Sequence, residues 1–274
     1  MILRRVDYGT PLKVGAGFAV MVIAFFFLYP RLPYVLDWSI FAQLPEHWRD
    51  PFSVVGFSNP PWAIFFLPHA LLPLRISMAV NASLNVVMLV IANRKFAGGL
   101  WGLVLIFTSS YFLMLVANNN IDWLPLLGVM LPAQWGLVLL SVKPQALAGI
   151  ALIWVKKHGI GIFVPVLAVF AVSLFLWPGW PVQWLAAAHA LYGVRFFPWL
   201  VPLGLLGLYL SWRKDDECLA AASTCCFMPY FGLYSMAGVI VVLGKHELIV
   251  FKKHIRLAVI LWVIGWGMVI LGIK

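Results

Sequence analysis

Long apolar stretches without charged residues run through the whole chain. They cover residues 14–30, 76–93, 96–121, 159–194, 218–244 and 257–273. Most match the ~20 residues that a helix needs to cross the ~30 Å hydrocarbon core of a bilayer. Their apolar residues are continuous rather than alternating, which is typical of helices and argues against a barrel. The pattern predicts an all-α, polytopic transmembrane protein with about 9–11 membrane segments. We expect one membrane domain over residues 1–274.

Composition supports a membrane location and argues against a water-soluble or nucleic-acid-binding protein. Apolar residues make up 64% of the chain and charged residues 10%, against roughly 45–50% and about 25% in soluble domains. The net charge is +10, but the basic residues form short clusters between apolar stretches, at 4–13, 94–95, 156–157, 213–214 and 245–256. This is the pattern of cytoplasmic loops. It predicts a multi-pass protein of a bacterial-type cytoplasmic membrane with a cytoplasmic N-terminus, and argues against a nucleic-acid partner.

The first part of the chain is expected to cross the membrane three times. A first helix over residues 15–29 follows a basic leader without a small-residue cleavage site, which indicates a retained signal anchor. Residues 31–75 form an external segment. Within it, residues 60–74 are predicted as an interfacial or re-entrant helix because four prolines interrupt them. Residues 76–93 then cross inward and 98–116 outward.

Prolines divide the next part into pieces of about ten residues, each about 15 Å long as a helix. The prolines are Pro125, Pro132 and Pro144. Residues 121–156 are therefore predicted as broken, half-length helices, which survive at membrane depth only where protein or a water-filled cavity shields them. Further crossings are expected at 160–177, 198–212 and 257–273, a pair at 218–244, and an outer interfacial segment at 178–197.

Several polar residues are expected to meet at the outer face. Arg75 and Lys143 abut apolar stretches, and charges at such places are costly and mark functional sites by default. Each needs an anionic partner: Asp37, Asp50, Asp122 or a bound phosphate. A structural role stays open for Asp122, since aspartate is a preferred residue for the N-cap of a helix starting at residue 123.

Structural roles also fit the remaining polar residues. Asp37 would serve equally as a solvated loop carboxylate, and the asparagine run 118–120 as a turn. Arg75 and Lys143 would also suit structural ion pairs or snorkelling to headgroups. The three cysteines lack metal-ligand spacing and are interpreted as packing residues. No metal site is predicted.

At these residues the chain resembles the membrane-embedded C-type glycosyltransferases (GT-C), and most of all the polyprenyl-phosphate-mannose-dependent α-mannosyltransferases. An aspartate, Asp37, follows the first helix in an external loop. The stretch NPPWAIFFLPHALLPLR (59–75) is similar to their Pro-Pro-aromatic juxtamembrane helix. LMLVANNNIDWLPLLGVML and LSVKPQALAGIALIWVKK resemble two later blocks, and FMPYFGLYS (227–235) is suggestive. Two departures are Ala117-Asn118 in place of glycine-glutamine and the short length of 274 residues.

The resemblance implies a GT-C-like fold and transfer of a mannose-like sugar from a polyprenyl-phosphate donor to an acceptor glycan or lipid. Asp37 would be the general base, while Arg75 and Lys143 would stabilise the leaving phosphate. No cofactor besides the lipid-linked donor is implied, and metal use is left open. The remaining implied substrate-binding residues are Asn118, Asn119, Asn120, Asp122, Gln145 and Arg195.

Two other functions fit the sequence. Broken helices with charges near mid-membrane also suit a transporter or flippase of a lipid-linked anion, although no inverted repeat is visible. The 14 tryptophans and many small residues would also suit a non-catalytic subunit of a membrane complex. Besides membrane lipids, a protein partner is thus left open.

Overall fold

The computed structural model describes residues 9–31, 36–96, 98–189, 199–227, 232–243 and 251–270. Throughout these residues the chain forms α- and 3-10 helices and no strand, which confirms the predicted all-α class. The α-helices are α1 (Gly9–Leu28), α2 (Leu36–Phe41), α3 (Leu74–Lys95), α4 (Gly99–Phe107), α5 (Ser110–Asn118), α6 (Trp123–Gly128), α7 (Ala133–Val142), α8 (Pro144–Leu147), α9 (Ile150–His158), α10 (Val164–Leu176), α11 (Trp180–His189), α12 (Val201–Lys214), α13 (Glu217–Ser223), α14 (Met236–Leu243) and α15 (Phe251–Ile270).

One helix of the described residues, α3, is long and apolar enough to cross a membrane by itself. Two bent pairs would each add a crossing if counted as one span: α4 with α5, and residues 160–176 with α11. Large apolar side chains also face outward on several helices, among them Leu100, Phe175 and Leu203. A water-soluble domain rarely exposes apolar surface on this scale. Both features are compatible with a membrane protein.

The long helix α3 lies at the centre of the fold, in contact with α1, α4, α6 and α14. Its buried apolar residues, such as Leu89 and Ala92, pack into the core. Ser77, Asn81 and Asn85 are also buried on this helix. Because their spacing of four residues places them on one face, α3 carries a polar stripe through the interior.

The middle of the chain forms short helices, and Pro132 and Pro144, but not Pro125, stand at helix starts. The segment 121–156 forms α6, α7, α8 and α9, of which α7 is the longest with ten residues. The helices α6 and α7 fold back on each other at Gly128 and Gly136. A Cβ on Gly128 would lie 2.9 Å from the Gly136 carbonyl oxygen, so only glycine permits this approach. The close backbone contact fixes the half-length hairpin.

Two segments differ from the sequence-based expectation. The predicted single crossing 98–116 is bent by 60° between α4 and α5, because α4 ends at Phe107 and the Ser109 side chain caps the N-terminus of α5. Residues 60–74 form two 3-10 helices, Pro61–Phe66 and Pro68–Leu71, rather than one longer helix. Proline at the start of each explains the division, since it cannot donate a backbone hydrogen bond.

Three of the basic clusters meet at one end of the molecule. Lys156 pairs with Asp215 at 2.8 Å, and Lys157 with Glu217 at 2.6 Å. Lys95 and Glu217 line the same cavity. Lys95, Lys156 and Lys157 and the residues that flank Arg213 and Lys214 are therefore close together in the fold.

Candidate functional site

A chain of hydrogen bonds joins the external segment to the broken helices. The Asn120 amide Nδ2 donates to Asp37 Oδ2 at 2.6 Å and to the Tyr234 hydroxyl at 2.9 Å. Its Oδ1 accepts from Lys143 Nζ at 2.9 Å. Asn120 therefore links a carboxylate from α2 to an ammonium that follows α7. Residues 83 positions apart in the sequence are brought into one site.

Lys143 is fully enclosed by polar and aromatic partners. Its Nζ lies 2.5 Å from Asp122 Oδ2 and 4.5 Å from the centroid of the Tyr234 ring. The Lys143 residue is only 2% exposed. A buried ammonium is tolerated only when it is paired and hydrogen-bonded, and here two oxygens and a ring face supply those contacts. Asp122 is thus the anionic partner of Lys143, and its side chain makes no capping hydrogen bond to α6.

The asparagine turn between α5 and α6 is fixed by the polar stripe of α3. Asn81 Nδ2 donates to the Asn119 carbonyl and to Asn119 Oδ1, both at 2.9 Å. Asn85 Nδ2 donates to the Asn120 carbonyl at 2.6 Å. Asn119 adopts the left-handed conformation with φ 52°, which asparagine accepts more readily than most residues. The turn directs the Asn120 side chain toward Asp37.

Asp37 is positioned by its neighbour Trp38. The Trp38 indole is fully buried, stacks on the His69 ring at 4.6 Å and donates to Ser77 Oγ at 2.8 Å. These contacts join α2 to the second 3-10 helix of the external segment and to the start of α3. The packing fixes the backbone next to Asp37, so its carboxylate has a defined direction.

Asp37, Asn120, Lys143 and Gln145 line a small cavity, together with Tyr234 and residues 56–59 of the external segment; we call it the Asp37 cavity. Its volume is about 70 Å³, enough for about two waters at ~30 Å³ each. Burial raises the pKa of the Asp37 carboxyl above its ordinary value, while the Asn120 amide and the Lys143 ammonium act in the opposite direction. A carboxylate with a raised pKa beside fixed donors is suited to accept a proton.

Three other predicted site residues, Arg75, Asn118 and Asn119, do not line the Asp37 cavity. Asn118 is half-buried, and its amide donates to the Met114 carbonyl of its own helix at 2.8 Å. Arg75 is exposed at the start of α3 and is not among the residues that line the Asp37 cavity. Asn119 serves the turn rather than the cavity. Arg195 lies outside the described residues, as does much of the 227–235 stretch.

No role was predicted from the sequence for Asn81 or Asn85, and Tyr234 was included only within the stretch FMPYFGLYS (227–235). The first two carried a usable signal, because polar residues at 77, 81 and 85 within an apolar stretch share one helix face. For Tyr234 the signal was its place in the 227–235 stretch, whereas its contact with Asn120 depends on the tertiary fold. Among the described residues no three histidine, cysteine or acidic side chains are grouped as metal ligands would be.

Comparisons of the chain with protein-family models, curated proteins and solved structures found no match. The geometry around Asp37 is therefore the feature that points to a function. That geometry combines a partly buried carboxylate, a neutralised lysine and amide groups at one cavity wall.

Proposed function

We propose that the protein is a membrane glycosyltransferase that moves a mannose-like sugar from a polyprenyl-phosphate donor to an acceptor glycan or lipid at the outer face of the membrane. The observation that carries this proposal is the Asp37 carboxylate, aimed by Asn120 at 2.6 Å and bordering a cavity with Lys143 and Gln145. In the proposed topology the N-terminus and the region of Lys95, Lys156 and Lys157 lie on the cytoplasmic side, and the Asp37 cavity lies on the outer side.

Asp37 would act as the general base. As the acceptor hydroxyl attacks the anomeric carbon, its proton passes to the Asp37 carboxylate, and the bond between sugar and phosphate breaks. The bonding electrons leave with the polyprenyl phosphate. Asn120 is a positioning residue, because both of its amide hydrogens and its oxygen are already used within the protein.

The charge that develops on the phosphate needs cations nearby. The ion pair with Asp122 reduces the positive charge that Lys143 can offer, so its main contribution is to orient Asn120. We assign the phosphate to Arg75, an exposed cation at the start of α3 that lies outside the lining of the Asp37 cavity, so the phosphate would sit beside the cavity rather than within it. Gln145 borders the cavity and would hold a sugar hydroxyl.

The Asp37 cavity is small, at about 70 Å³, so the proposed reaction includes movement of one wall to admit the sugar. Residues 56–59 form the wall contributed by the external segment. Gly56 has φ +88°, and a Cβ there would lie 2.9 Å from the Ile40 side chain. We propose that this loop shifts outward when the donor binds, while the Asn120 side chain, held by its hydrogen bonds, stays in place.

The test is turnover by the purified protein in lipid nanodiscs with a polyprenyl-phosphate mannose carrying a labelled sugar. Wild type should transfer the label to an acceptor glycan or lipid, and Asp37→Asn should lose about 10²-fold or more of the rate. Glu46→Gln, an exposed carboxylate of the same external segment, is the matched control and should retain the rate.

Two outcomes would replace the proposal. Movement of the intact donor between leaflets without cleavage would favour a transporter, and absence of turnover with tight co-purification of another chain would favour a structural subunit. Full activity of Asp37→Asn would remove Asp37 from the mechanism.

A further inference from the structure

A second and larger cavity lies at the opposite end of α7 from the Asp37 cavity. The N-terminal residues of α7 line it, whereas Lys143, directly after the last residue of α7, lines the Asp37 cavity. Ten helical residues rise about 15 Å, and the two cavities have no lining residue in common. We call the second one the Lys95 cavity. Its volume of about 660 Å³ lies within the range of ligand-binding pockets, roughly 300–1,000 Å³.

The walls of the Lys95 cavity divide into a polar and an apolar part. Lys95, Gln134 and His158 supply hydrogen-bond donors. Trp135, Trp154 and others form the apolar part. A cavity with both kinds of wall matches an amphiphile better than a small hydrophilic solute.

Lys95 is the lysine that lines this cavity. Its Nζ donates to the Val129 carbonyl oxygen, and it forms no ion pair with any described residue. The carboxylate that also lines the cavity, Glu217, accepts from Lys157 at 2.6 Å. Lys95, Lys157 and Glu217 together leave one net positive charge at this cavity.

The apolar wall continues onto the outer surface of the helix bundle. Trp135 is 57% exposed and Val164 64% exposed, and one turn further along α10 Leu167 is also exposed. An acyl chain that leaves the cavity would therefore find an apolar track along α10. A soluble anion would gain nothing from these side chains.

We propose that the Lys95 cavity binds an anionic membrane phospholipid, with the headgroup phosphate at Lys95 and His158 and an acyl chain along Trp135 and Val164. This site is independent of the proposed sugar transfer and lies at the basic end of the molecule. The ligand's headgroup is a net anionic phosphate diester without a cationic group, attached to an apolar tail.

The test is native mass spectrometry of the detergent-solubilised protein, titrated with phosphatidylglycerol and, separately, with phosphatidylcholine of the same acyl chains. Wild type should bind phosphatidylglycerol more tightly. Lys95→Gln should weaken that binding by about tenfold or more, because it removes a charge-assisted hydrogen bond. Lys95→Arg should largely restore it. Lys214→Gln, which removes an exposed cation at the end of α12 and outside the cavity, should have no effect.

Competition with inorganic phosphate distinguishes binding of the headgroup from binding of the acyl tail. If phosphate displaced phosphatidylglycerol as effectively as more of the lipid does, the apolar wall would contribute nothing and the lipid assignment would be wrong. Equal affinity of wild type for the two lipids, or unchanged binding by Lys95→Gln, would overturn the proposal. Trp135→Ala should weaken lipid binding, since it removes an exposed part of the tail wall.

Discussion

The ammonium of Lys143 lies 2.5 Å from the carboxylate of Asp122, and each side chain is only 3% exposed. Taking two charges out of water costs several kcal/mol per ion, which the mutual attraction offsets only with good geometry and further hydrogen bonds. Asn120 and the Tyr234 ring supply those further contacts. Removal of either side chain would therefore leave the other charge buried without a partner.

Lys143→Met should destabilise the protein by about 3–5 kcal/mol, because it leaves the Asp122 carboxylate buried without its partner. The matched change Lys157→Met breaks the Glu217 pair, which is 29–38% exposed, and should cost no more than about 1 kcal/mol. Thermal or denaturant unfolding of both variants in the same detergent measures the difference.

The double variant Lys143→Met with Asp122→Asn tests whether the unpaired Asp122 carboxylate causes the loss of stability. It should recover part of the stability that Lys143→Met loses, since no uncompensated charge remains. Equal losses for Lys143→Met and Lys157→Met, or no recovery in the double variant, would contradict a buried pair.

Asp37→Asn should be the more stable protein at neutral pH. Burial raises the pKa of the Asp37 carboxyl in the folded state above its unfolded value. The stability contributed by this group is therefore complete at acid pH and is lost as the pH rises through the folded-state pKa. The melting temperature of Asp37→Asn should equal that of wild type at acid pH and exceed it increasingly toward neutral pH. A wild type that is more stable than the variant at neutral pH would refute this.

Gly136→Ala should destabilise the α6–α7 hairpin by about 1–3 kcal/mol through overpacking. The added Cβ would meet the Gly128 carbonyl oxygen and the Trp154 ring, the latter at 2.9 Å. Gly17→Ala is the control, because a Cβ on this exposed residue of α1 meets nothing within 4 Å. That change should leave stability the same or raise it by about 0.5–1 kcal/mol. The unfolding midpoints of Gly136→Ala and Gly17→Ala, each compared with wild type, measure the two effects.

Cysteine labelling tests the proposed orientation. In a variant without the three native cysteines, Ser53→Cys should react with a membrane-impermeant maleimide added to intact cells. Lys214→Cys should react only after the membrane is opened. Both positions are exposed. Labelling of both from the outside would exclude the proposed topology.

The helical architecture could be predicted because its signals are local. Apolar stretches indicate where helices form, and Pro132 and Pro144 mark the starts of α7 and α8. Pro125 was expected to divide the chain as well, but it lies in the first turn of α6, where proline is tolerated. The bend between α4 and α5 was harder to foresee, since its cause is one serine that caps a new helix, and Ser109 looks ordinary within an apolar stretch.

The site could be predicted only in part. The sequence offers three carboxylates as partners of Lys143, and the choice of Asp122 among them depends on the fold of α6 and α7. The contact between Asp37 and Asn120 spans 83 positions and has no local signature. Arg75 is the converse case. Its place in the sequence predicts it at the site, but in the fold it is exposed at the start of α3 and does not line the Asp37 cavity.

The Asn81 side chain has a consequence for the thermodynamics of ligand binding. Its amide holds Asn119 and the Asn120 carbonyl, and its oxygen accepts from Trp123 Nε1 at 2.9 Å. The conformational entropy of the asparagine turn is therefore lost when the protein folds, not when a ligand arrives. A ligand that reaches the Asp37 cavity meets preorganised groups on this side, so the ordering cost of binding falls on the 56–59 loop and on the ligand itself.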